Sequence, residues 1–328
     1  MTQARSFCPS LLFADCRGTM AISTLSSNTQ ATVLLTGATG YVGSKLLSRL
    51  EQQPEVVRCL ARNPEKISRS RESTQMVPGD VLDRASLDAA LQGIHTAYYL
   101  VHLMSGSSDF EKEDRQAATN FAAAAQQAAV QRIIYLGGLG DDADPKLSPH
   151  LRSRHEVGQI LRNSGIETIE FRAGMVVGAG SISYQLMKSL TDRLPVMLCP
   201  KWLTTPTQPI AVDDVLDYLL QAKDLPAAES CIYEIGGTDV VNYGEVIREY
   251  ARQKGLRRWL ISVPVLTPYL SSLWLALVTP ASFEVGRHLI EGLRNPTIVQ
   301  NHQALSTFPI RPMGMRAAIQ KAIEAVRD

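Results

Sequence analysis

The sequence predicts an α/β protein with a doubly wound parallel sheet and a smaller mixed lobe at its C-terminal end. Three observations lead to this prediction. Short apolar runs alternate with segments of helical periodicity from about residue 31 to about residue 178. A glycine-rich turn separates the first apolar run from the first amphipathic segment. Beyond residue 178 the alternation loosens, and Pro195, Pro200, Pro206 and Pro209 interrupt the chain.

Six apolar runs in the first half have the length and composition of buried strands. The first run is followed by Val42, Leu46, Leu47 and Leu50, which share one face of a helix. Short apolar strands that alternate with helices form a parallel sheet covered on both faces, the Rossmann arrangement. The predicted strands are residues 33–35, 56–60, 76–77, 97–101, 133–136 and 168–171, and further helices are predicted at 83–91, 115–130 and 151–162.

The second half of the chain is less regular. Its predicted strands are residues 210–212 and 232–235, and its predicted helices are residues 213–222, 243–253 and 315–326. This half is too short and mixed to fold independently, so we expect it to lean on the first half with a cleft between them. The predicted organisation is a disordered tail at 1–29, a Rossmann domain at 30–178 and a dependent lobe at 179–328.

Composition and charge exclude several classes of protein. The chain has 328 residues, of which 45% are hydrophobic, and 33 basic against 32 acidic residues give a net charge of +1. This apolar fraction excludes disorder throughout the chain, and the near-neutral charge gives no reason to expect a nucleic-acid partner. The five cysteines lack CxxC spacing and indicate a reducing compartment, so the predicted location is cytoplasmic.

The longest apolar stretch, residues 259–278, is interrupted by Pro264 and Pro268. A membrane-spanning helix needs about twenty uninterrupted apolar residues, so no transmembrane segment is predicted. We expect a buried or interfacial segment instead, which leaves peripheral membrane contact open. Residues 1–29 lack a convincing signal-peptide core. Alternatives to a disordered tail are an upstream-extended start, with Met20 as the true beginning, and a transit peptide.

The glycine-rich turn lies between the first predicted strand and the first predicted helix. Glycines at this position allow a tight turn and let the backbone approach a pyrophosphate, while the helix N-terminus offers free N–H groups to the phosphates. The position of the turn therefore predicts a dinucleotide site. Its predicted cofactor-binding residues are Gly37, Thr39, Gly40, Tyr41, Val42 and Gly43.

The residue that follows the second strand decides which dinucleotide binds. Sites that prefer NAD usually place an acidic residue there, to accept hydrogen bonds from the ribose 2′-hydroxyl. This chain has Arg62, whose guanidinium suits a 2′-phosphate. The sequence therefore predicts NADP(H), with NAD(H) as the alternative if Arg62 is only a solvated charge. Asp80 and Val81, after the third strand, are predicted at the adenine unless they form a plain turn.

Seven sequence pieces resemble the short-chain dehydrogenase/reductase superfamily, specifically its atypical, extended, NmrA-like NAD(P)H-binding branch. They are TGATGYVG, VPGDVLD, AYYLVH, Asn120, IIYLGGLG, FRAGMVVG and QPIAVDDV, in this order from residue 36 to residue 215. The resemblance implies that the glycines and Thr39 hold the pyrophosphate, and that Arg62 holds the 2′-phosphate. It also implies that Val101 and His102 lie near the nicotinamide-side ribose. Gly138, at the end of the fifth strand, completes the predicted cofactor residues. Asn120 matches a helix asparagine that steadies this helix near the active site, or is an ordinary helical polar residue.

At the positions of that superfamily's catalytic residues, this chain has residues of other types. Its active members combine a Ser or Thr after the fifth strand with Tyr-x-x-x-Lys on the next helix, whereas this chain has Gly137 and Gly138, then His150 and Arg154. A histidine can exchange protons near neutral pH, so His150 is predicted to supply the proton while Arg154 anchors ribose or substrate. The alternative is that His150 only begins the helix and Arg154 is a surface or cofactor contact. His102 is a second catalytic candidate, and no metal site is predicted.

Two functions are therefore open. The first is an NADP(H)-dependent oxidoreductase that transfers hydride to or from a hydrophobic carbonyl or conjugated substrate. The second is a non-catalytic NAD(P)H-binding redox sensor or assembly factor, which the missing Tyr-x-x-x-Lys motif favours. The apolar residues of the second half indicate a hydrophobic ligand, or else they fill the core of the smaller lobe. These residues are Trp259, Leu260, Leu266, Leu270, Trp274 and Leu275.

Overall fold

The computed structural model describes residues 32–69, 71–103, 109–199, 201–263 and 292–326. The tail predicted at 1–29 lies outside the described residues. In chain order the elements are β1 (Thr32–Thr36), α1 (Tyr41–Leu50), β2 (Val56–Ala61), β3 (Gln75–Pro78), α2 (Arg84–Ala90), β4 (Ile94–Tyr99), α3 (Phe110–Gln127), β5 (Arg132–Gly138), α4 (Pro149–Arg162), β6 (Glu167–Ala173), β7 (Val176–Val177), α5 (Ile182–Arg193), β8 (Val196–Cys199), β9 (Pro206–Thr207), β10 (Ile210–Ala211), α6 (Val212–Ala222), β11 (Cys231–Ile235), β12 (Val241–Asn242), α7 (Tyr243–Gln253), β13 (Trp259–Ser262), α8 (Gln303–Thr307) and α9 (Met315–Glu324).

Seven parallel strands form the central sheet, in the order β11-β6-β5-β4-β1-β2-β3. The doubly wound fold predicted from the sequence is therefore confirmed. The strand order reverses between β1 and β4, and ligands of such sheets bind beyond the carboxyl ends of the strands at this point. The seventh strand, β11, pairs with β6 although it comes from the second half of the chain. The sheet thus continues past the boundary predicted at residue 178.

Helices cover both faces of the sheet. On one face α1, α6 and α8 contribute Leu46, Val215 and Ala304 to a core that includes Leu35 and Phe171 of the strands. On the other face α2, α3 and α4 pack against the remaining strand side chains. The alanines of α3 let this helix lie close to the sheet. Burial on both faces explains why β1 and β5 contain consecutive apolar residues rather than an alternating pattern.

The described part of the second lobe has its own core, and the strands there form sheets of two strands each. Side chains of α5, α7 and α9 pack together with Met197 and Cys199 of β8. Strand β8 pairs in parallel with β13, and β9 pairs antiparallel with β12. Helix α7 begins with a capping box, in which Asn242 and Glu245 satisfy each other's backbone amides.

The structure places the apolar residues that were predicted to form a ligand site or a core in different environments. Leu260 packs against the core of the second lobe. Trp259 instead is 71% exposed on the outer face of the β8–β13 sheet. Neither predicted role holds for Trp259, because side chains alternate between the two faces of a strand and only one face meets the core. Leu266, Leu270, Trp274 and Leu275 lie outside the described residues.

Within the described ranges, we find no helix that is both long and apolar enough to span a bilayer.

Candidate functional site

The glycine-rich turn is fixed against the end of β4. Gly37 has a φ of +76°, and a Cβ atom at this position would lie 2.5 Å from the carbonyl oxygen of Leu100. Only glycine fits both the left-handed backbone and this close approach. Thr36 Oγ1 donates to the carbonyl oxygen of Tyr98 at 3.0 Å, and the Leu100 amide donates to Thr36 Oγ1 at 3.3 Å. Together these contacts hold the ends of β1 and β4 side by side.

Helix α1 begins directly at the turn. Its N-cap is Gly40, whose amide donates to the carbonyl oxygen of Gly37 at 2.9 Å, and the first turn carries no acidic residue. A Cβ atom at Gly43 would collide with the carbonyl oxygen of Gly37, so the helix packs closely on the turn. The unpaired amides and the positive end of the helix dipole favour an anionic ligand. The glycine turn is a cradle that fits a dinucleotide pyrophosphate.

A cavity of about 320 Å³ lies beside this turn, at the carboxyl ends of β1 to β4. Eight of the twelve predicted cofactor residues line the cavity: Gly37, Thr39, Gly40, Arg62, Asp80, Val81, Val101 and His102. Tyr41, Val42 and Gly43 are not among its lining residues. The Tyr41 ring instead lies against Gly178 and Gly180, and Val42 packs against the core.

Two cations stand at one end of this cavity. Arg62 and Lys66 both line it and both are exposed. Lys66 was not predicted, although a second cation four residues after Arg62 was visible in the sequence. It reaches the cavity because residues Pro64–Lys66 form a 3₁₀ turn directly after β2.

The loop after β3 is tied to the neighbouring helix. Asp80 Oδ1 accepts a hydrogen bond from the Leu82 amide at 3.0 Å. Asn120 of α3 donates through Nδ2 to the carbonyl oxygen of Leu82 at 2.9 Å. Asn120 therefore holds the loop that carries Asp80 and Val81, rather than contacting the cavity itself.

Three ionisable side chains form a hydrogen-bonded chain at the end of β4. Asp114 Oδ2 lies 3.0 Å from His102 Nδ1, and His102 Nε2 lies 3.0 Å from His150 Nδ1. The Asp114 side chain is 3% exposed and that of His102 is 16% exposed. The structure thus brings together both histidines that were predicted as catalytic candidates, and it adds an aspartate that was not.

Asp114 is fully supplied with hydrogen-bond donors. Its Oδ1 accepts from the Leu103 amide at 2.9 Å, and its Oδ2 accepts from Ser153 Oγ at 2.9 Å as well as from His102. Burial alone would raise the pKa of Asp114, but the hydrogen bond and charge of His102, together with the Leu103 and Ser153 hydrogen bonds, hold it below its usual value. Asp114 is therefore ionised at neutral pH. Its sequence signal is an acidic residue on the buried face of an alanine-rich helix.

An ionised Asp114 determines the hydrogen bonding of the two histidines. A carboxylate only accepts, so neutral His102 donates through Nδ1 and keeps the lone pair on Nε2. That lone pair accepts from His150 Nδ1–H. The Asp114 carboxylate therefore fixes, through His102, which nitrogen of His150 faces His102, in the way that a buried aspartate orients a histidine in catalytic triads.

A second cavity of about 250 Å³ lies on the other side of these histidines. His102 lines both cavities, and His150 lines the second. Gly138, predicted at the cofactor, lines the second cavity. A narrower apolar cavity of about 40 Å³ between α5 and α7 shares four lining residues with the second cavity: Met175, Ser183, Tyr243 and Leu293.

Arg154 lines the second cavity, but its guanidinium donates to the carbonyl oxygen of Leu136. The carbonyl oxygen of Arg154 accepts from Tyr135 Oη at 2.9 Å, and the guanidinium lies 5.3 Å from the Tyr135 ring centre. These contacts anchor α4 to β5. The predicted role of Arg154 in holding ribose or substrate stays a prediction.

Comparisons with known proteins agree with this geometry. Residues 37–194 match a family described as NAD(P)H-binding. The chain is 31% identical over 134 residues to (4-alkanoyl-5-oxo-2,5-dihydrofuran-3-yl)methyl phosphate reductase of Streptomyces griseus, a match that spans 41% of this chain and only 44% of that reductase. It is 24% identical over 280 residues to the Photosystem II assembly factor Ycf39 of Cyanophora paradoxa, which spans 83% of this chain and 82% of that protein.

Among solved structures, the NADPH-dependent quinone oxidoreductase QOR2 of Escherichia coli, complexed with NADPH, superposes with a TM-score of 0.70. The alignment covers 89% of this chain and 99% of that chain at 16% identity, and so supports the shared fold. Residues 37–194 are thus an NAD(P)H-binding domain. These relatives agree with the predicted resemblance to the atypical, NmrA-like short-chain dehydrogenase/reductase branch. The predicted binding of NAD(P)H is confirmed for residues 37–194.

Proposed function

We propose that this protein is an NADP(H)-dependent oxidoreductase that transfers hydride to or from a hydrophobic carbonyl or conjugated substrate. One observation carries the proposal: the Asp114–His102–His150 chain stands between the nucleotide cavity and the second cavity, with His102 lining both. A proton-exchanging group placed between a hydride source and a substrate cavity is what carbonyl reduction requires.

In the proposed reaction, bound NADPH supplies the hydride that reduces the carbonyl carbon. His150 donates one proton from Nε2 to the carbonyl oxygen, so that hydride and proton together convert a ketone or aldehyde into an alcohol. His102 and Asp114 are positioning residues that fix the orientation of the His150 ring. In the reverse direction neutral His150 accepts the proton from the alcohol.

The second cavity supports a hydrophobic substrate. Its lining includes Leu136, Leu139, Met175 and Val176, and it opens towards the apolar cavity between α5 and α7. A substrate held there has its polar end beside His150 and its apolar part against these side chains. Polar groups at one end and apolar walls elsewhere are typical of small-molecule sites.

Arg62 and Lys66 support a preference for NADP(H) over NAD(H). Both cations stand at the end of β2, where the 2′-position of the adenosine ribose lies in nucleotide-binding sheets of this type. The residues between them are Asn63, Pro64 and Glu65, and the acidic Glu65 is not among the residues that line the cavity.

The test is turnover of NADPH with a panel of quinones, enones and aldehydes, followed by nicotinamide absorbance. We expect oxidation with at least one apolar member of the panel. In His150→Gln, kcat should fall by about 100-fold or more, because general acid catalysis contributes about that much. NADPH affinity should stay unchanged. Unaltered kcat in this variant would contradict the role of His150.

Asp114→Asn tests the positioning role, with Glu113→Gln on the same helix as the matched control. We expect Asp114→Asn to lower kcat with little change in KM. A general loss of structure would instead weaken NADPH binding as well as lower kcat, and this outcome would contradict the proposed role.

A second candidate function is a nucleotide-binding assembly factor or redox sensor. The observation that favours it is the match to the assembly factor Ycf39, which spans most of both chains. Clear NADPH binding without turnover of any panel member would favour this second function over the first.

We also propose a cytoplasmic location, as the cysteine pattern predicted. Cys59, Cys199 and Cys231 carry free thiols, and the first two are buried. Free buried thiols are ordinary in a reducing compartment.

A further inference from the structure

The outer face of the β8–β13 sheet carries four large apolar side chains. Val196 is 49% exposed, Leu198 45%, Trp259 71% and Ile261 49%. They form two directly opposed pairs, since Trp259 aligns with Val196 and Ile261 with Leu198. Alternating side chains share a face of a strand, so these four residues form one continuous apolar patch.

The inner face of this sheet packs on the core of the second lobe, which accounts for its apolar side chains. It does not account for the apolar side chains of the outer face. Met197, Cys199 and Leu260 point inward to the core of the second lobe. A sheet with one buried face normally alternates apolar and polar residues along each strand. Here the side chains on both faces of the sheet are apolar. An exposed apolar patch of this kind usually marks an interaction surface.

Basic residues flank the two strands of the patch in the sequence. The two segments that build the sheet, residues 193–201 and 254–263, contain five basic residues and no acidic residue. Arg193, Lys254 and Arg257 are exposed beside the sheet. Arg258 instead donates to the carbonyl oxygens of Thr191 and Asp192, which fixes the start of β13 against α5.

We propose that this apolar and basic face docks the protein reversibly on an anionic lipid bilayer. Trp259 and the three aliphatic side chains would enter the headgroup and acyl boundary, where tryptophan is favoured. The basic residues would contact acidic headgroups at the same depth. The proposal goes beyond the proposed reductase activity, because the face lies on the outside of the second lobe.

The charge also argues against a second copy of the chain as the partner. A two-fold interface would place this face against itself. The exposed Arg193, Lys254 and Arg257 of each copy would then approach those of the other, and the segments that form the sheet contain no acidic residue. Like charges opposed across an interface disfavour association.

The experiment is co-sedimentation of the full chain with vesicles of phosphatidylcholine alone and of phosphatidylcholine with phosphatidylglycerol. We expect binding to the anionic vesicles, weakened by added salt because exposed charges are screened. The double variant Trp259→Ser, Ile261→Ser should partition about tenfold less strongly or worse, because it loses the two largest apolar groups of the patch. Arg257→Glu should weaken binding to the anionic vesicles alone.

Leu305→Ser is the matched control, since Leu305 is an apolar residue of α8 that is 53% exposed on another part of the surface. NADPH binding measured on every variant shows that the fold is retained, independently of vesicle binding. Equal partitioning of the double variant and the wild type would overturn the proposal. So would a concentration-dependent dimer, detected by sedimentation without lipid, that the double variant abolishes.

Discussion

The large sheet has seven parallel strands, six of them from the first half of the chain, and helices cover both of its faces. The second lobe has two-stranded sheets, of which the β8–β13 sheet exposes one face. The two regions therefore present chemistry differently. The large sheet has no free face, so its ligand site forms at the strand ends, from backbone amides, glycines and a few side chains. The second lobe instead exposes the outer face of the β8–β13 sheet. This face is apolar, and basic residues lie beside it.

The comparison teaches where a substitution should matter. At the strand ends the backbone itself forms the site, so adding a single carbon atom disturbs the nucleotide cavity. In the described part of the second lobe, Gly255 has a similar backbone conformation, and a carbon atom added there meets nothing within 4 Å.

The strongest test of this comparison is to substitute two glycines that have similar backbone conformations. Gly37 in the nucleotide turn has a φ of +76°, and Gly255 in the second lobe has a φ of +67°. We expect Gly37→Ala to lower NADPH affinity on the order of 100-fold and the free energy of unfolding by about 3 kcal/mol, since the Cβ atom adds a collision with Leu100 to the left-handed strain. Calorimetric titration and urea unfolding measure both quantities.

Gly255→Ala is the control for that strain. No atom lies within 4 Å of its added Cβ, so we expect a loss of only about 1–2 kcal/mol and unchanged NADPH binding. Equal effects on nucleotide affinity in the two variants would show that the turn does not form the nucleotide site.

Arg62→Ala gives an expected effect of intermediate size. It should weaken NADPH binding by about 10- to 100-fold, the value of a hydrogen-bonded charge pair, and leave NADH binding almost unchanged. Lys66→Ala should act in the same direction but less. Calorimetric titration with both nucleotides measures this, with Arg84→Ala on α2 as a control away from the cavity. Equal losses for NADPH and NADH would reject the proposed preference.

The smallest expected effect concerns stability in acid. The pKa of folded Asp114 lies below its usual value because, against the effect of burial, the His102, Leu103 and Ser153 hydrogen bonds favour the carboxylate. A lowered pKa stabilises the fold above the pKa of an unfolded aspartate, about 3.9, and this contribution is lost as the pH falls through the lowered value. The difference in unfolding free energy between wild type and Asp114→Asn should therefore shrink below about pH 4. A difference that is constant with pH would contradict this.

Much of the fold could be predicted because its signals are local. The six strands of the first half and the glycine turn are runs of a few residues whose periodicity or conformation needs no distant partner. Strand β11 was also predicted, at 232–235, but its place beside β6 was not. Strand pairing depends on contacts between residues that are far apart in the chain, and these leave no local pattern.

The residues of the candidate site also divide into those with a local sequence signal and those placed by long-range packing. Arg62 and His102 follow strands and could be placed at the sheet edge, and His150 could be placed at the start of a helix. Asp114 could not be assigned, because it is an acidic residue inside a helix with no motif around it. It meets His102 and Ser153 only because α3 and α4 pack side by side on the sheet.

The sequence by itself determined the parallel sheet, the nucleotide turn and the cation at the end of β2, since each follows from the conformational or chemical properties of neighbouring residues. Only the tertiary structure decided that Asp114, His102 and His150 form one hydrogen-bonded chain, and that Trp259 points outward. Those outcomes depend on helix packing and on which face of a strand meets the core, and both are set by the burial of apolar surface over the whole molecule.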